Sequence, residues 1–264
     1  MREILSDLVA EQQHLDQYLQ TLRDRQWAAP TPAKGWSIQD TVSHLAHVES
    51  FAAEVLAEGR GRVEAEKINE LDEWTSRGVA LGRGRRHQEI IEWWRFGRAD
   101  VVDALSRIPP SDRIPWLYGE MSARSFATMR LMETWAHGLD IKAAILERVV
   151  PLDRPPEGIP EDVEWIDPLA DTVRLRHIAR LGQRSLPFSF KRAGEEFPEF
   201  GIRVEVMGPL YATWRFGPED TDQVIKGMAG DWCRLIVQRQ DAEDTGLKAV
   251  GEYAEIALRV ATAY

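Results

Sequence analysis

The sequence is poor in the features that staple secreted proteins or anchor membrane proteins. Its 264 residues include a single cysteine, Cys233, so no disulfide can form within the chain, which suits a reducing compartment. Its neighbours Trp232 and Leu235 predict a small buried side chain rather than a nucleophile. No apolar run approaches the ~18 residues of a membrane span, and the first residues lack the apolar segment of a secretory signal. We therefore expect a soluble, cytoplasmic protein without a membrane partner.

Positive charge is also scarce. Lys and Arg number 33 against 43 Asp and Glu, which gives a formal net charge of −10. Proteins that follow a phosphate backbone concentrate basic residues on one face, so this balance argues against a nucleic-acid partner. Low-complexity tracts are absent too, and the 44% hydrophobic and 29% charged residues are values of a globular protein. A chain of this length forms one large domain or two ordinary ones.

The first 150 residues carry the pattern of a helix bundle. Apolar residues recur at spacings of three and four in four long segments, which predict amphipathic helices over residues 2–25, 37–59, 86–106 and 122–146. Ser37 followed by Asp40 predicts a capping box at the start of the second helix, and Gly59 predicts its end. A shorter helix is expected around residues 63–74. Four long helices joined by loops predict a four-helix bundle over residues 1–150.

The pattern changes after this bundle. Four prolines and a glycine between residues 151 and 160 predict a linker, and the segment 151–177 is interpreted as linker and connecting helix, with a helix over about residues 168–181. Alternating segments at 202–206 and 212–216 and a short one at 223–227 predict strands. Helices at 228–237 and 245–262 follow. Residues 178–264 are therefore predicted to form a small α+β domain, and the whole chain is predicted to be mainly α with an α+β tail.

One segment of the fourth helix carries the most informative polar residues. Glu133 and His137 are four residues apart, so on a helix they share a face, and a carboxylate with an imidazole can hold one divalent ion. Such a pair is more often solvated surface, and a third ligand is required. His44 on the second helix is the best donor. Asp40 and His47 lie on the same face as His44, although a histidine hydrogen-bonded to Asp40 explains part of that pattern.

These residues also carry a family resemblance. The chain has Gly35-Trp36, then His44 eight residues after the tryptophan, and later Glu133-x-Trp135-x-His137 with Asp140 downstream. In this it resembles the mycothiol-dependent maleylpyruvate isomerase family, part of the wider DinB-like metalloenzymes. It is still more similar to an actinobacterial branch of metal-binding proteins, sometimes associated with wyosine base formation in transfer RNA, through the segments 116–123, 130–137 and 227–233, which include Trp116-x-Tyr118-Gly119.

The resemblance implies a DinB-like bundle whose His44, Glu133 and His137 bind a metal, and a C-terminal domain of the sterol-carrier type. The donor set suits Zn²⁺ best, with Ni²⁺, Fe²⁺ or Mn²⁺ as alternatives. Three protein ligands leave positions open for a substrate, and in the family a low-molecular-weight thiol, mycothiol or a similar one, occupies them. His47 is not part of the family triad.

Three further residues are candidates for catalytic roles. Arg130 precedes Glu133 by three residues, so it could steer an anionic substrate, orient Glu133 or form an ordinary ion pair. Asp40 could accept a hydrogen bond from His44 or simply cap its helix. His47 shares the face of His44.

Several functions fit these residues. The first is a metal-dependent enzyme that activates a mycothiol-like thiol for S-transfer or isomerisation of a small electrophilic substrate. The alternatives are a metal-dependent lyase, cyclase or hydrolase of specialised metabolism without thiol, and a small-molecule binding protein. A role on transfer RNA ranks last because of the net charge. The sequence leaves the oligomeric state open, and a homodimer is one candidate.

Overall fold

A computed structural model describes residues 1–68, 70–117, 119–160 and 162–263. Tyr118, one of the residues that carry the family resemblance, lies outside this set. The chain divides into two compact units, residues 1–149 and 150–264. The first unit is helical and the second is α+β, so the predicted fold class is confirmed. Within the described ranges, no helix is both long and apolar enough to cross a membrane.

The first unit is built on the four long helices that the periodicity predicts. Two shorter helices lie where one was expected. The helices of this unit are α1 Arg2–Gln20, α2 Ile38–Glu58, α3 Arg60–Glu66, α4 Leu71–Gly82, α5 His87–Ser106 and α6 Ala123–Leu146. The four long ones are α1, α2, α5 and α6, and the two short ones are α3 and α4. A hairpin that the sequence did not predict, β1 Arg113–Trp116 and β2 Gly119–Ser122, precedes α6.

The apolar stripes of these helices meet in one core. Helix α2 packs along α5, and α1 packs along α6. The central cluster of fully or nearly fully buried side chains contains Leu15, Leu19, Trp27, Ile38, Val42, Leu45, Ala46, Ile90, Ile91, Trp94 and Ile141. Burial of such side chains stabilises a fold by about 1.5–3 kcal/mol each. The bundle's stability therefore follows from its apolar contacts, and the polar side chains of α2 and α6 are held on rigid helices.

The start of α2 is set by local hydrogen bonds. Ser37 Oγ accepts from the Asp40 backbone N–H at 3.2 Å, and Asp40 Oδ2 accepts from the Ser37 backbone N–H at 3.0 Å. This is the predicted capping box, with the acidic residue in the third helical position. Gly59 ends the helix with a φ of +71°, a conformation that glycine adopts without steric cost.

The second unit contains a four-stranded sheet with the strand order β4-β3-β5-β6. Strands β3 and β5 pair in parallel and the other neighbours are antiparallel; the elements of this unit are α7 Leu175–Ala193, β3 Arg203–Met207, β4 Thr213–Phe216, β5 Val224–Met228, α8 Ala229–Ile236, β6 Lys248–Val250 and α9 Glu252–Val260. Helix α7 packs closely on α8, because a Cβ at Gly182 would lie 2.3 Å from Ile236.

Two predicted helices of this unit have different bounds in the structure. Helix α7 begins at Leu175, later than residue 168, and continues to Ala193 with Pro187 inside it. The last helix begins at Glu252, because residues 248–250 pair with β5 as an edge strand. The reason in the second case is tertiary, since the short segment gains its backbone partners only from the sheet.

Candidate metal centre

Three side chains from two helices meet in the first unit. His44 lies on α2, and Glu133 and His137 lie one turn apart on α6. Glu133 Oε2 is 3.7 Å from His44 Nε2 and 3.6 Å from His137 Nε2. One ligand atom from each residue lies within 4.8 Å of the others. Two imidazole nitrogens and one carboxylate oxygen therefore point at a common position.

The donor set fits a divalent ion of the first transition row. Ligands at ~2.0–2.1 Å in a tetrahedral arrangement stand roughly 3.3 Å apart, and the separations from the Glu133 oxygen exceed that by only a few tenths of an ångström. The nitrogen of His44 that faces Glu133 is Nε2, and the buried Nδ1 has no hydrogen-bond partner among the described residues. Three protein ligands leave at least one further position, as in catalytic rather than structural zinc sites.

The protonation states also suit metal binding. Burial, together with the nearby His137 and Arg130 and against the attraction of Glu133, lowers the pKa of His44 to about 4. Burial would raise the pKa of Glu133, but the nearby His44, His137 and Arg130 outweigh it and hold the pKa at about 2. At neutral pH His44 is therefore a neutral imidazole and Glu133 is an anion. Both are ready ligands without loss of a proton.

His137 has a partner that the sequence did not assign. Its Nδ1 lies 3.0 Å from Oδ2 of Asp140, which is fully buried three residues later on α6. A carboxylate behind a ligating histidine fixes the ring orientation and the tautomer and leaves Nε2 for the metal. The i,i+3 spacing of the two residues is the signal in the sequence that could have indicated this contact.

An aromatic wall flanks the two histidines. The Trp36 ring centroid lies 5.0 Å from that of His44 and 6.0 Å from that of His137, and the two imidazole centroids are 4.8 Å apart. Gly35, which precedes this tryptophan, has a φ of +82°. A residue with a Cβ is strained in this conformation. The Gly35-Trp36 pair thus turns the chain so that the indole covers one side of the triad.

Asp40 is not one of the three residues that converge as possible ligands. Its carboxylate accepts hydrogen bonds from Ser37 and, at 3.1 Å, from Arg83 Nε. Burial would raise the pKa of Asp40, but these hydrogen bonds lower it. The hypothesis that Asp40 accepts a hydrogen bond from His44 does not hold in the structure, because its oxygens serve the capping box and Arg83. The helix-capping alternative describes the observed contacts.

His47 points to another neighbour as well. Its ring centroid lies 4.7 Å from that of Trp74 on α4, and a Cβ at Gly78 would come within 2.2 Å of its Cδ2 atom. His47 therefore fills the contact between α2 and α4, and it does not join the triad. A catalytic role for His47 remains a prediction without a contact to the candidate site.

Arg130 lies one turn before Glu133 on α6 and is 2% exposed. Its charge lowers the pKa of both Glu133 and His44. The carboxylate nearest to it is Glu49 on α2, with Oε1 3.9 Å from Arg130 Nη1. Glu49 was not a predicted site residue. The signal was its position on the apolar stripe, between Leu45 and Ala52, where a charged residue is unusual.

Known proteins provide an independent comparison. A family model described as "Mycothiol maleylpyruvate isomerase N-terminal domain" matches residues 8–142. Two relatives, both called uncharacterized proteins of Mycobacterium tuberculosis (strains CDC 1551 and H37Rv), are 33% identical to this chain over 266 residues. The alignment covers 98% of this chain and 94% of each relative.

Solved structures share the fold. The crystal structure of the mycothiol-dependent maleylpyruvate isomerase and that of a mutant match with TM-scores of 0.57 and 0.56. Each match covers 94% of this chain and 92% of the solved chain, at 15% sequence identity. At that identity the match establishes the fold of the whole chain but not the reaction. Sequence and structure agree, and the chain belongs to the mycothiol maleylpyruvate isomerase N-terminal domain family.

Proposed function

We propose that the protein is a metal-dependent enzyme that uses a low-molecular-weight thiol of the mycothiol type. The thiol would assist isomerisation of a small electrophilic substrate, or be transferred to it. The observation that carries the proposal is the convergence of His44, Glu133 and His137 on one position, in a family whose named member depends on mycothiol. Zn²⁺ is the ion that the two imidazoles and one carboxylate suit best.

The chain's own residues would prepare the site in distinct ways. His44 offers a neutral imidazole, Asp140 holds the ring of His137 so that its Nε2 faces Glu133, and Glu133 offers an ionised oxygen. A bound divalent ion supplies a lowered thiol pKa, so that a thiolate is present at neutral pH. Trp36 shields one side of the triad, which limits the access of water to a reactive sulfur.

Thiol-assisted isomerisation needs no reactant other than the thiol and the substrate. The sulfur adds to one carbon of a conjugated double bond, the resulting single bond rotates, and departure of the thiol restores the double bond in the other geometry. In transfer the carbon–sulfur bond persists, and the carbanion left on the neighbouring carbon takes up the proton that the thiol released. A reaction of either kind needs a cis alkene or another electrophilic carbon in the substrate.

Cobalt substitution tests the proposal directly. The full-length protein is chelated, reloaded with Co²⁺ and titrated with mycothiol, and a sulfur-to-cobalt charge-transfer band in the near ultraviolet is expected. Oxidised mycothiol, which lacks a free thiol, is the ligand control, and His137→Ala is the protein control. Stoichiometric binding of Co²⁺ without this band would contradict the use of a thiol and favour a metal-dependent lyase, cyclase or hydrolase.

Chelation also distinguishes a catalytic from a structural ion. Because the buried apolar cluster of α1, α2, α5 and α6 stabilises the bundle, removal of the metal should leave the far-ultraviolet circular dichroism unchanged. A structural zinc behaves differently, since its binding energy is folding energy. Loss of helicity on chelation would contradict the proposed role of the site.

A further inference from the structure

Helix α7 has an exposed face that carries only positive charge. Its 19 residues include five Lys or Arg side chains and no Asp or Glu, in a chain whose formal net charge is −10. At about 3.6 residues per turn, four of these cations lie within an arc of roughly 80° and extend about 22 Å along the helix. They are exposed, and no ion pair joins them to any other residue that the structure describes. This basic stripe consists of Arg176, Arg180, Arg184 and Lys191.

An aromatic side chain borders the basic stripe. Phe188 follows Arg184 by one helical turn and is 55% exposed. The opposite side of α7 is buried at Ile178, Leu186 and Phe190, so the helix is fixed in the second unit while the stripe faces outward. Cations beside an exposed aromatic ring fit an anionic partner that also presents apolar side chains.

A loop of the same unit has the complementary chemistry. Its sequence, residues 153–166, contains five carboxylates and one arginine. Three apolar side chains of the loop are exposed, Ile159 at 38%, Val163 at 51% and Ile166 at 70%. This acidic loop therefore presents negative charge and apolar surface together. Its described carboxylates are all exposed as well: Asp153, Glu157, Asp162 and Glu164.

The two ends of the acidic loop meet at one buried residue. Asp167 is 4% exposed and accepts the backbone N–H of Leu152 at 2.7 Å and that of Leu169 at 2.8 Å. The loop thus leaves the unit and returns at one place, as Ω-loops do. Half of its 14 residues, at ~3.3 Å each, reach about 23 Å from this base. The loop is therefore long enough to lie along the whole basic stripe.

We propose that the protein forms a symmetric homodimer in which the acidic loop of each copy lies along the basic stripe of the other. A twofold axis makes this contact twice. Exposed ion pairs contribute little individually, so contacts of Ile159 and Val163 with Phe188 supply much of the affinity. The charges determine the partner and the register. The dimer goes beyond the proposed function and does not depend on the metal.

The second copy matches the basic stripe better than other anionic partners do. The acidic loop agrees with the stripe in sign of charge, in length and in apolar content. A nucleic acid would match the charge, but the remaining surface of a chain with net charge −10 would repel it. Within one copy the loop does not cover the stripe, since both are exposed.

Sedimentation velocity measures the association of the full-length protein. Between about 1 and 200 µM, wild type should convert from monomer to dimer, as expected for an interface of modest area. A rise in NaCl from ~0.15 M to ~0.5 M should weaken the dimer several-fold, because salt screens exposed charges. Phe188→Ser should weaken it by on the order of tenfold or more, because it removes the buried ring.

Exchange of the charges tests which surfaces meet. The stripe variant combines Arg180→Glu with Arg184→Glu, and the loop variant combines Glu157→Lys with Asp162→Lys. Each variant alone places like charges in both contacts, so it should dimerise at least tenfold more weakly than wild type. An equal mixture places opposite charges in both contacts. A heterodimer should then form with a Kd within about threefold of the wild-type homodimer, followed through a fluorescent label on one variant.

A matched control separates the stripe from net charge. Arg60→Glu with Arg107→Glu changes the net charge as the stripe variant does, at side chains of the first unit that are 60% and 72% exposed. It should dimerise as wild type does. Circular dichroism and zinc content report whether each variant is folded. If the stripe variant does not fold, the loop variant and Phe188→Ser decide the question.

Several results would overturn the dimer. Wild type that stays monomeric over the whole concentration range would do so, as would equal effects of the stripe variant and its control. Variants that stay monomeric when mixed would show that the loop does not meet the stripe. Binding of a labelled oligothymidylate to monomeric wild type, lost in the stripe variant, would assign α7 to nucleic acid instead. None of these results bears on the proposed function, which Co²⁺ binding tests.

Discussion

Replacement of Glu49 by glutamine should make the bundle more stable at alkaline pH. A carboxyl whose pKa is raised in the folded protein loses stability as the pH rises, because the unfolded chain releases the proton first. The model value of 4.5 applies to the unfolded chain and a value of about 7 to the folded protein. The stabilising contribution of the Glu49 carboxyl is thus fully present below pH 4.5 and is lost as the pH rises to about 7.

The size of the effect follows from the two pKa values. Their difference corresponds to about 3 kcal/mol of lost stability well above pH 7. At pH 5 the loss is only about 1 kcal/mol, because most of the titration has not yet occurred. Glu49→Gln does not titrate, so its stability relative to wild type should rise by about 2 kcal/mol between pH 5 and pH 8. Glu49→Gln also leaves Arg130 without a partner charge. The cost of that loss is the same at pH 5 and at pH 8, so it does not change the expected rise in relative stability.

Urea unfolding followed by tryptophan fluorescence measures the difference. Both proteins are kept metal-free with a chelator, because a divalent ion beside Glu133 would itself change the pKa of Glu49. Glu54→Gln is the matched control on α2, since the Glu54 side chain is 47% exposed and solvent keeps its charge effects small. A gap between Glu49→Gln and wild type that stays constant from pH 5 to pH 8 would refute the reasoning and mean that Glu49 is ionised throughout.

Three further predictions concern the triad and the segments that connect the helices. Glu133→Gln should lower metal affinity by on the order of tenfold or more if Glu133 is a ligand. Intact metal content with turnover reduced ~10²–10⁴-fold would make Glu133 a general base instead. Metal analysis of the purified variant beside wild type distinguishes the two roles. Asp140→Asn should weaken metal binding ~10–100-fold at unchanged helicity, because it removes the charged partner of His137; an unchanged Kd for zinc would show that Asp140 does not orient that ring. Limited proteolysis should cut first within residues 151–160 or 59–84, where Pro and Gly interrupt the helical spacing of apolar residues. Mass spectrometry of the fragments locates the cuts, and first cuts outside both segments would contradict the prediction.

Short-range patterns in the sequence were enough to predict much of the fold of the first unit. The four long helices follow from apolar residues spaced three and four apart, and the start of α2 follows from Ser37 and Asp40. The triad was also accessible, since Glu133 and His137 share a helical face and His44 is carried by the family resemblance. Each of these features depends on residues within a few turns of one another, or on a short motif.

The β1–β2 hairpin and the edge strand β6 show where such reasoning ends. Each strand is three or four residues long, too short to display a period, and each obtains its hydrogen bonds from a partner strand. The partner of β6 lies about twenty residues earlier in the chain. Local sequence contains no measure of that pairing, because its free energy arises only when the two segments meet.

Only the tertiary structure decided which polar residues of α2 join the site. Asp40, His44 and His47 lie within one face of the helix, so periodicity treats them alike. In the structure α6 meets His44, α4 covers His47, and Arg83 reaches Asp40. The same holds for Glu49, which the apolar stripe marked as unusual and which α6 supplied with Arg130. A helix determines which side chains share a face, but the neighbours that pack against it determine what each side chain does.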